Sequence, residues 1–330
     1  TKVCFMGSRD ASYYHGGLAY GVGMRDTAQD LLGPLTFEPE LVREQIKELT
    51  RNQFADGSTY HLFYRIVGGG EKTGHSDDPL WIPMDIIWYL RETGDFSFLH
   101  EVTPYADEGE ATIFEHLIAA IEYILANLTP RGLPKIMAGD WNDDLTHLGL
   151  QGKGESIMVA ESLCWILKET IDLLNFIGRT EKVEEYQKAY ERTAKVLDEE
   201  CWDGEWYIRA TKDNGEPIGS HKNREGKIYI NSQSWAVISG VAKGKRAIQC
   251  MDSVKKHSNT PKGPKLVSPA YTEIDNTIGA ITKEGPGKKE NASIFNHPVA
   301  WVIYAETVLG RGDMAYLYYK QSLPTSVCNN

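Results

Sequence analysis

Residues 79–93 constrain the fold more than any other stretch of this chain. Leu80, Trp81, Ile82, Met84, Ile86, Ile87, Trp88 and Leu90 leave the segment no polar face. A helix that is apolar on every side has to be buried between neighbours. Pro79 and Pro83 push its regular start toward residue 83, and Gly94 ends it. The neighbours can be read from periodicity. Residues 38–53 are amphipathic, with Leu41, Ile46 and Leu49 on one face; residues 111–128 repeat Ile113, Leu117, Ile121 and Ile124 at helical spacing. Residues 155–177 and 180–198 form a helical hairpin turning at Gly178, and 232–243, 246–257, 297–309 and 313–321 continue the pattern. Gly204 to Arg209 and Lys227 to Ile230 read as short strands, a β-excursion on a helical body. Residues 1–33 show little periodicity. The long loop 259–295, rich in Pro, Gly and Lys, has a length that usually marks function. About ten helices in antiparallel pairs, joined by polar, aromatic-rich loops, suggest an α/α toroid rather than a bundle, although periodicity does not show closure.

The totals exclude some classes of function. The 330 residues carry a net charge of −11 without a sustained basic tract, which argues against nucleic acid as a partner. No apolar run reaches the roughly 18 residues of a membrane span. No signal peptide is visible, although the first residue is Thr1 rather than Met, so a trimmed N-terminus is expected. Cys4, Cys164, Cys201, Cys250 and Cys328 are widely spread with no C-x-x-C pair. Free thiols in a reducing cytosol are the expectation, hence a cytoplasmic protein.

The chemistry concentrates in Ala138-Gly139-Asp140-Trp141-Asn142-Asp143-Asp144, between a Pro/Gly turn and the Gly-rich run 149–154. A carboxyl group beside an indole face is partly desolvated, and neighbouring carboxylates disfavour its ionisation. Both effects raise its pKa toward that of a general acid. Sugar rings stack on such indole faces, so acid plus aromatic platform fits a carbohydrate-cleaving site. A solvated acidic loop over a buried Trp fits the composition equally well. Gly21-Val22-Gly23 is no dinucleotide fingerprint, since no strand precedes it. Arg25-Asp26 reads as a surface ion pair, and His61 and His297 as structural histidines, when taken alone.

Four stretches together resemble the inverting glycoside phosphorylases of the cellobiose and chitobiose phosphorylase family. They are Ser8-Arg9-Asp10-Ala11-Ser12-Tyr13, Arg25-Asp26-Thr27-Ala28-Gln29-Asp30, Asp140-Trp141-Asn142-Asp143, and Lys289-Glu290-Asn291-Ala292-Ser293-Ile294-Phe295-Asn296-His297. They occur in family order, and the phosphorylase-like domain of cyclic β-1,2-glucan synthases is similar. The resemblance implies a mainly α fold, an (α/α)6 barrel, with residues 1–330 forming one catalytic domain that lacks the family's N-terminal β-sandwich and its C-terminal part. It implies Asp143 as general acid, and Asp26, Arg25 and Trp141 at the donor sugar. Arg9 and His297 fall at phosphate, and Lys289 and Glu290 at the acceptor sugar. Tyr20 and Glu284 depart from the cellobiose phosphorylase pattern, at the donor and acceptor sides respectively. The implied reaction is inverting phosphorolysis of a β-linked disaccharide or short oligosaccharide, with phosphate as co-substrate, no cofactor and no metal. A homodimer is one expectation for its assembly. Two alternatives remain. One is an inverting hydrolase on the same toroid, with Asp140 or Asp144 as base to Asp143. The other is a non-catalytic carbohydrate-binding fragment.

Overall fold

The structure, a computed structural model, describes residues 21–328. The chain divides into two compact units, Thr1–Asn127 and Leu128–Asn330.

In the first unit β1 (Val22–Gly23) leads directly into α1 (Met24–Leu31). The sequence shows little periodicity here because the helix is short and polar; its buried side includes Arg25, Thr27 and Gln29 beside Met24, Ala28 and Leu31. After α2 (Pro39–Thr50), β2 (Leu62–Phe63) and β3 (Gly70–Glu71) complete a three-stranded antiparallel sheet in the order β1-β2-β3. The apolar segment forms α3 (Trp81–Thr93), entered through a 3-10 turn at Asp78–Leu80. It starts two residues earlier than its prolines suggest. Pro83 is the third helical residue, where the backbone N–H has no intrahelical acceptor, so its absence costs nothing. Gly94 closes the helix at φ 68°, as expected. The hairpin strands β4 (Val102–Pro104) and β5 (Glu110–Thr112) lead into α4 (Ile113–Ala126), which Thr112 and Glu115 start with a reciprocal capping box. α3 packs against α1, α2 and α4, and the burial of its Trp81, Ile82, Ile86 and Ile87 follows from those contacts.

The second unit begins with the acid loop and β6 (Glu155–Ser156), then the hairpin α5 (Ile157–Ile177) and α6 (Val183–Glu200), turning at Gly178. Each Leu or Ile fully buried on α5 contributes about 1.5–3 kcal/mol. β7 (Ala210–Thr211) joins β6 to β8 (Pro217–Ile218). The strand expected over 204–209 is displaced: only an isolated Trp202–Tyr207 bridge falls there. The Trp206 indole instead donates to the carbonyls of Gly219 and Lys227, and the ladder begins at Ala210. β9 (Ile228–Tyr229) runs into α7 (Ile230–Ile238), buried along its whole length among α5, α8 (Gly244–His257) and α9 (Asn296–Val308). α7 ends before the expected residue 243, because Gly240 turns the chain at φ 76°. The 259–295 stretch carries the hairpin β10 (Asn259–Thr260) and β11 (Gly263–Pro264), then β12 (Val267–Ser268) paired with β9, and a 3-10 turn at Ala280–Lys283. α10 (Gly312–Ser322) packs on α9. No described helix is long and apolar enough to cross a membrane.

Candidate active site

The acid loop sorts its three carboxylates by burial. Asp140 is fully buried, Asp144 is 5% exposed, and Asp143 alone is partly open to solvent. The reason lies in β7 and the start of α5. Arg209, immediately before β7, is also fully buried, and its Nη2 lies 2.6 Å from Asp140 Oδ1. Ser156 Oγ donates to the other Asp140 oxygen and caps α5 by accepting from the Val159 N–H. Burial alone would push the Asp140 carboxyl up, but the charge and hydrogen bonds of Arg209, with Ser156 and the Asn142 N–H, hold it below the usual range. Asp140 is therefore an ionised structural anchor. A buried pair of this kind fixes geometry, and removing either partner strands the other charge.

Arg209 also donates to Asn142 Oδ1, from Nε at 3.1 Å and from Nη2 at 2.7 Å, and Asn231 Nδ2 donates to the same oxygen at 2.9 Å. The Asn142 Nδ2 in turn donates to Glu290 Oε2 at 3.0 Å. Glu290 is 4% exposed; burial first, then the charges of Asp144 and Asp143, raise its pKa to about 8. Its neighbour Lys289 faces the other way: Nζ sits 2.8 Å from Asp144 Oδ1 and 4.0 Å from Glu284 Oε1. Burial lowers the Lys289 pKa, but the hydrogen bond and charge of Asp144 outweigh it, so the ammonium is held charged. Glu284 is pushed up by burial and by Asp144.

The two loops are fastened together along their backbones as well. Ile281 N–H donates to the Asp144 carbonyl at 3.0 Å, and His147 N–H to the Ile278 carbonyl at 3.2 Å. Gly279, at φ 130°, lies so close that a Cβ there would meet Thr146 N at 2.5 Å. Met137, Lys289 and Ala292 are the non-glycine residues with positive φ among the described residues, and all three flank this site. Such strained backbone gathers where surrounding structure holds a functional geometry.

Trp141 is 5% exposed. Its ring meets Phe295 at 5.5 Å, Trp301 at 5.0 Å and His297 at 6.5 Å, each edge to face, and its Nε1 has no hydrogen-bond partner among the described residues. His297 lies in the first turn of α9 and is partly exposed.

In the first unit Arg25 is 6% exposed, and its Nη1 reaches the Asp77 carboxylate at 3.2 Å, which the Trp81 indole also contacts at 3.1 Å. Arg25 thus has a buried ion pair with Asp77. Asp26, in the first turn of α1, is partly exposed. His61 Nδ1 lies 2.9 Å from Asp78, and its ring stacks on His75 at 4.1 Å. Arg9 lies outside the described residues, as does Tyr20.

Of the residues named from sequence, Trp141, Asp143, Lys289 and Glu290, on loops, and His297, in the first turn of α9, belong to one cluster in the second unit. Three members were missed: Arg209, Asn231 and Ser156. A single Arg closing the apolar run Trp206-Tyr207-Ile208 was a signal, since an arginine inside such a run needs a buried partner. Cys164, Cys201 and Cys250 are buried free thiols, as expected.

Against known proteins, the Glycosyl hydrolase 94 superfamily, catalytic domain, matches residues 1–329. A solabiose phosphorylase from Paenibacillus borealis is 39% identical over 314 residues, covering 95% of this chain and 40% of the relative. An N,N'-diacetylchitobiose phosphorylase from Vibrio proteolyticus is 36% identical over 346 residues, covering 97% and 43%. The chain thus spans about two-fifths of these relatives' length. Among solved structures, a GH63 mannosylglycerate hydrolase from Thermus thermophilus superposes with a TM-score of 0.68 at 14% identity, covering 97% of this chain and 89% of that one. At that identity the likeness bears on fold alone, and the fold class is the mainly helical one of (α/α)6 barrels.

Proposed function

The chain belongs to the glycosyl hydrolase 94 superfamily through its catalytic domain, and on that premise we propose that it performs inverting phosphorolysis of a β-linked disaccharide or short oligosaccharide. The observation that carries this reading is the sorting of the acid loop. Asp140 is buried against Arg209 and Asp144 is buried against Lys289, whereas Asp143 is the carboxyl group of the three that is partly exposed. Asp143 donates its proton to the glycosidic oxygen as the bond from that oxygen to the anomeric carbon breaks. A phosphate oxygen forms the new bond from the opposite face, giving an α-sugar 1-phosphate and a free sugar. Phosphate is already an anion, so no second carboxylate is needed to activate it, in contrast to water in an inverting hydrolase.

The same geometry disfavours the hydrolase reading. Asp140 is sealed under Arg209 and Ser156, and Asp144 is ion-paired. Glu290, its pKa raised to about 8, is mostly protonated at neutral pH. On the sequence resemblance we assign Asp26, Arg25 and Trp141 to the donor sugar, Arg9 and His297 to phosphate, and Lys289 and Glu290 to the acceptor sugar. Residues 1–330 then act as one catalytic domain. The scheme requires no metal or organic cofactor. A cytoplasmic location and a homodimer are part of the same proposal.

The test is a screen of β-linked disaccharides with and without phosphate, following sugar 1-phosphate by NMR. Phosphate-dependent release of an α-sugar 1-phosphate is expected. Equal sugar release without phosphate refutes phosphorolysis in favour of hydrolysis; binding without turnover favours the carbohydrate-binding alternative.

A further inference from the structure

Asn142 has its side chain held at both ends. Its Oδ1 receives three N–H groups, two from Arg209 and one from Asn231, while its Nδ2 is directed at Glu290. An amide oxygen has two lone pairs, so three donors saturate it. Turning the amide over would set its NH2 against all three donors. The contacts on the far side therefore dictate which end faces the acid cluster. Asn231 has few other hydrogen bonds of its own. Apart from Asn142, its Nδ2 approaches only Met158 Sδ at 3.6 Å, and its Oδ1 has no partner among the described residues. Ordinary buried amides are better satisfied than this. The residue is fully buried on α7, a helix otherwise rich in apolar side chains.

We propose that Arg209 and Asn231 are positioning residues: they lock the Asn142 amide in one orientation and through it fix the shorter of the two hydrogen bonds to Glu290 Oε2, the one from Asn142 at 3.0 Å, the Asp144 N–H giving the other at 3.4 Å. Neither needs to touch substrate. Their effect passes from β7 and α7, through one amide, to the acceptor-side acid. The inference deepens the phosphorolytic reading and rests on it for its rate measurement, but not for its structural one.

The experiment uses Asn231→Ala and Arg209→Lys in the full chain, with two measurements on the same preparations. The first is the carboxyl titration of Glu290, followed by carbon-13 NMR and assigned against Glu290→Gln. The second is the phosphorolysis rate on the disaccharide found active. A carboxylate that loses a donor is harder to ionise. The Glu290 midpoint is therefore expected to rise by about half a unit to one unit in each folded variant. The turnover number is expected to fall about tenfold, with little change in the Michaelis constant for phosphate. A core control, Val299→Ala, should leave the midpoint in place. An unchanged midpoint in Asn231→Ala overturns the proposal even if the protein is less stable, and so does an equal shift in the Val299→Ala control. Should Arg209→Lys not fold, Asn231→Ala decides alone. A midpoint shift in a chain with no phosphorolysis on any disaccharide supports the positioning role and removes the proposed function instead.

Discussion

Glu290→Gln exchanges a buried, proton-holding acid for a neutral amide of nearly the same shape. The wild-type carboxyl group has its pKa raised from 4.5 to about 8 by burial and by Asp144 and Asp143. Between those two values the folded chain keeps a proton that the unfolded chain has released. The folded state binds more protons, so stability falls as pH rises through this window and levels off above it. At about 1.36 kcal/mol per unit, the displacement amounts to roughly 5 kcal/mol over the full span. Glutamine does not titrate, and its Oε1 still accepts from Asn142, while its NH2 can face the carboxylates of Asp143 and Asp144. The variant should therefore match wild type near pH 4.5 and gain steadily on it, reaching an advantage of up to about 5 kcal/mol by pH 8. Urea unfolding at pH 5, 6, 7, 8 and 8.5, followed by tryptophan fluorescence, measures the difference. Titrating groups common to both proteins and distant from Glu290, histidines included, cancel in the comparison. Parallel stability curves from pH 5 to 8.5 would refute the reasoning, since they would mean that Glu290 is ionised in the folded protein at neutral pH.

Asp143→Asn should keep the fold and lower phosphorolysis at least about a hundredfold, within the usual reach of general acid catalysis; a variant with more than about a tenth of wild-type turnover sinks the assignment. Trp141→Ala should cost about 3–5 kcal/mol of stability through the cavity left among Phe295, His297 and Trp301, and also weaken donor-sugar binding. Calorimetry that finds sugar affinity intact would make Trp141 a core residue only. His297→Ala should raise the Michaelis constant for phosphate by about tenfold to a hundredfold, the equivalent of one hydrogen bond to a charged group. An equal change in the sugar constant would assign His297 to the shape of the whole pocket.

The helices were legible wherever their apolar faces were wide. Residues 155–177 and 111–128 were placed within a few positions because Leu and Ile recur at helical spacing. α1 was not, because part of its buried side is Arg25, Thr27 and Gln29, residues that burial makes sense of only once Asp77 and Trp81 are in place. The acid loop announced itself through local composition. Its inner supports did not. Arg209 lies 69 residues from Asp140 and Asn231 lies 89 from Asn142 along the chain, and no periodic pattern links them. The Lys289–Glu290 turn was visible as a motif. That one side chain points to Asp144 and the next to Asn142 required the positive φ at Lys289, which local composition does not report.

The close seam between Thr146 and Gly279 has a bearing on how acceptor preference can change within such proteins, and on how it can be engineered. Because the loop bearing Asp143 is stitched to 278–281 by backbone hydrogen bonds, with no room at Gly279 even for a methyl group, the two segments form a matched casting and mould. On the proposed assignment, lengthening or shortening residues 273–284 to admit a bulkier sugar would shift Asp143 away from the bond it is proposed to protonate. Glu284 and Lys289 are tied into the same seam, Lys289 through its ion pair with the buried Asp144, so changes at either also act on the acid loop. Loop exchange between relatives should accordingly succeed only when both segments, 138–147 and 275–292, are transplanted from the same parent.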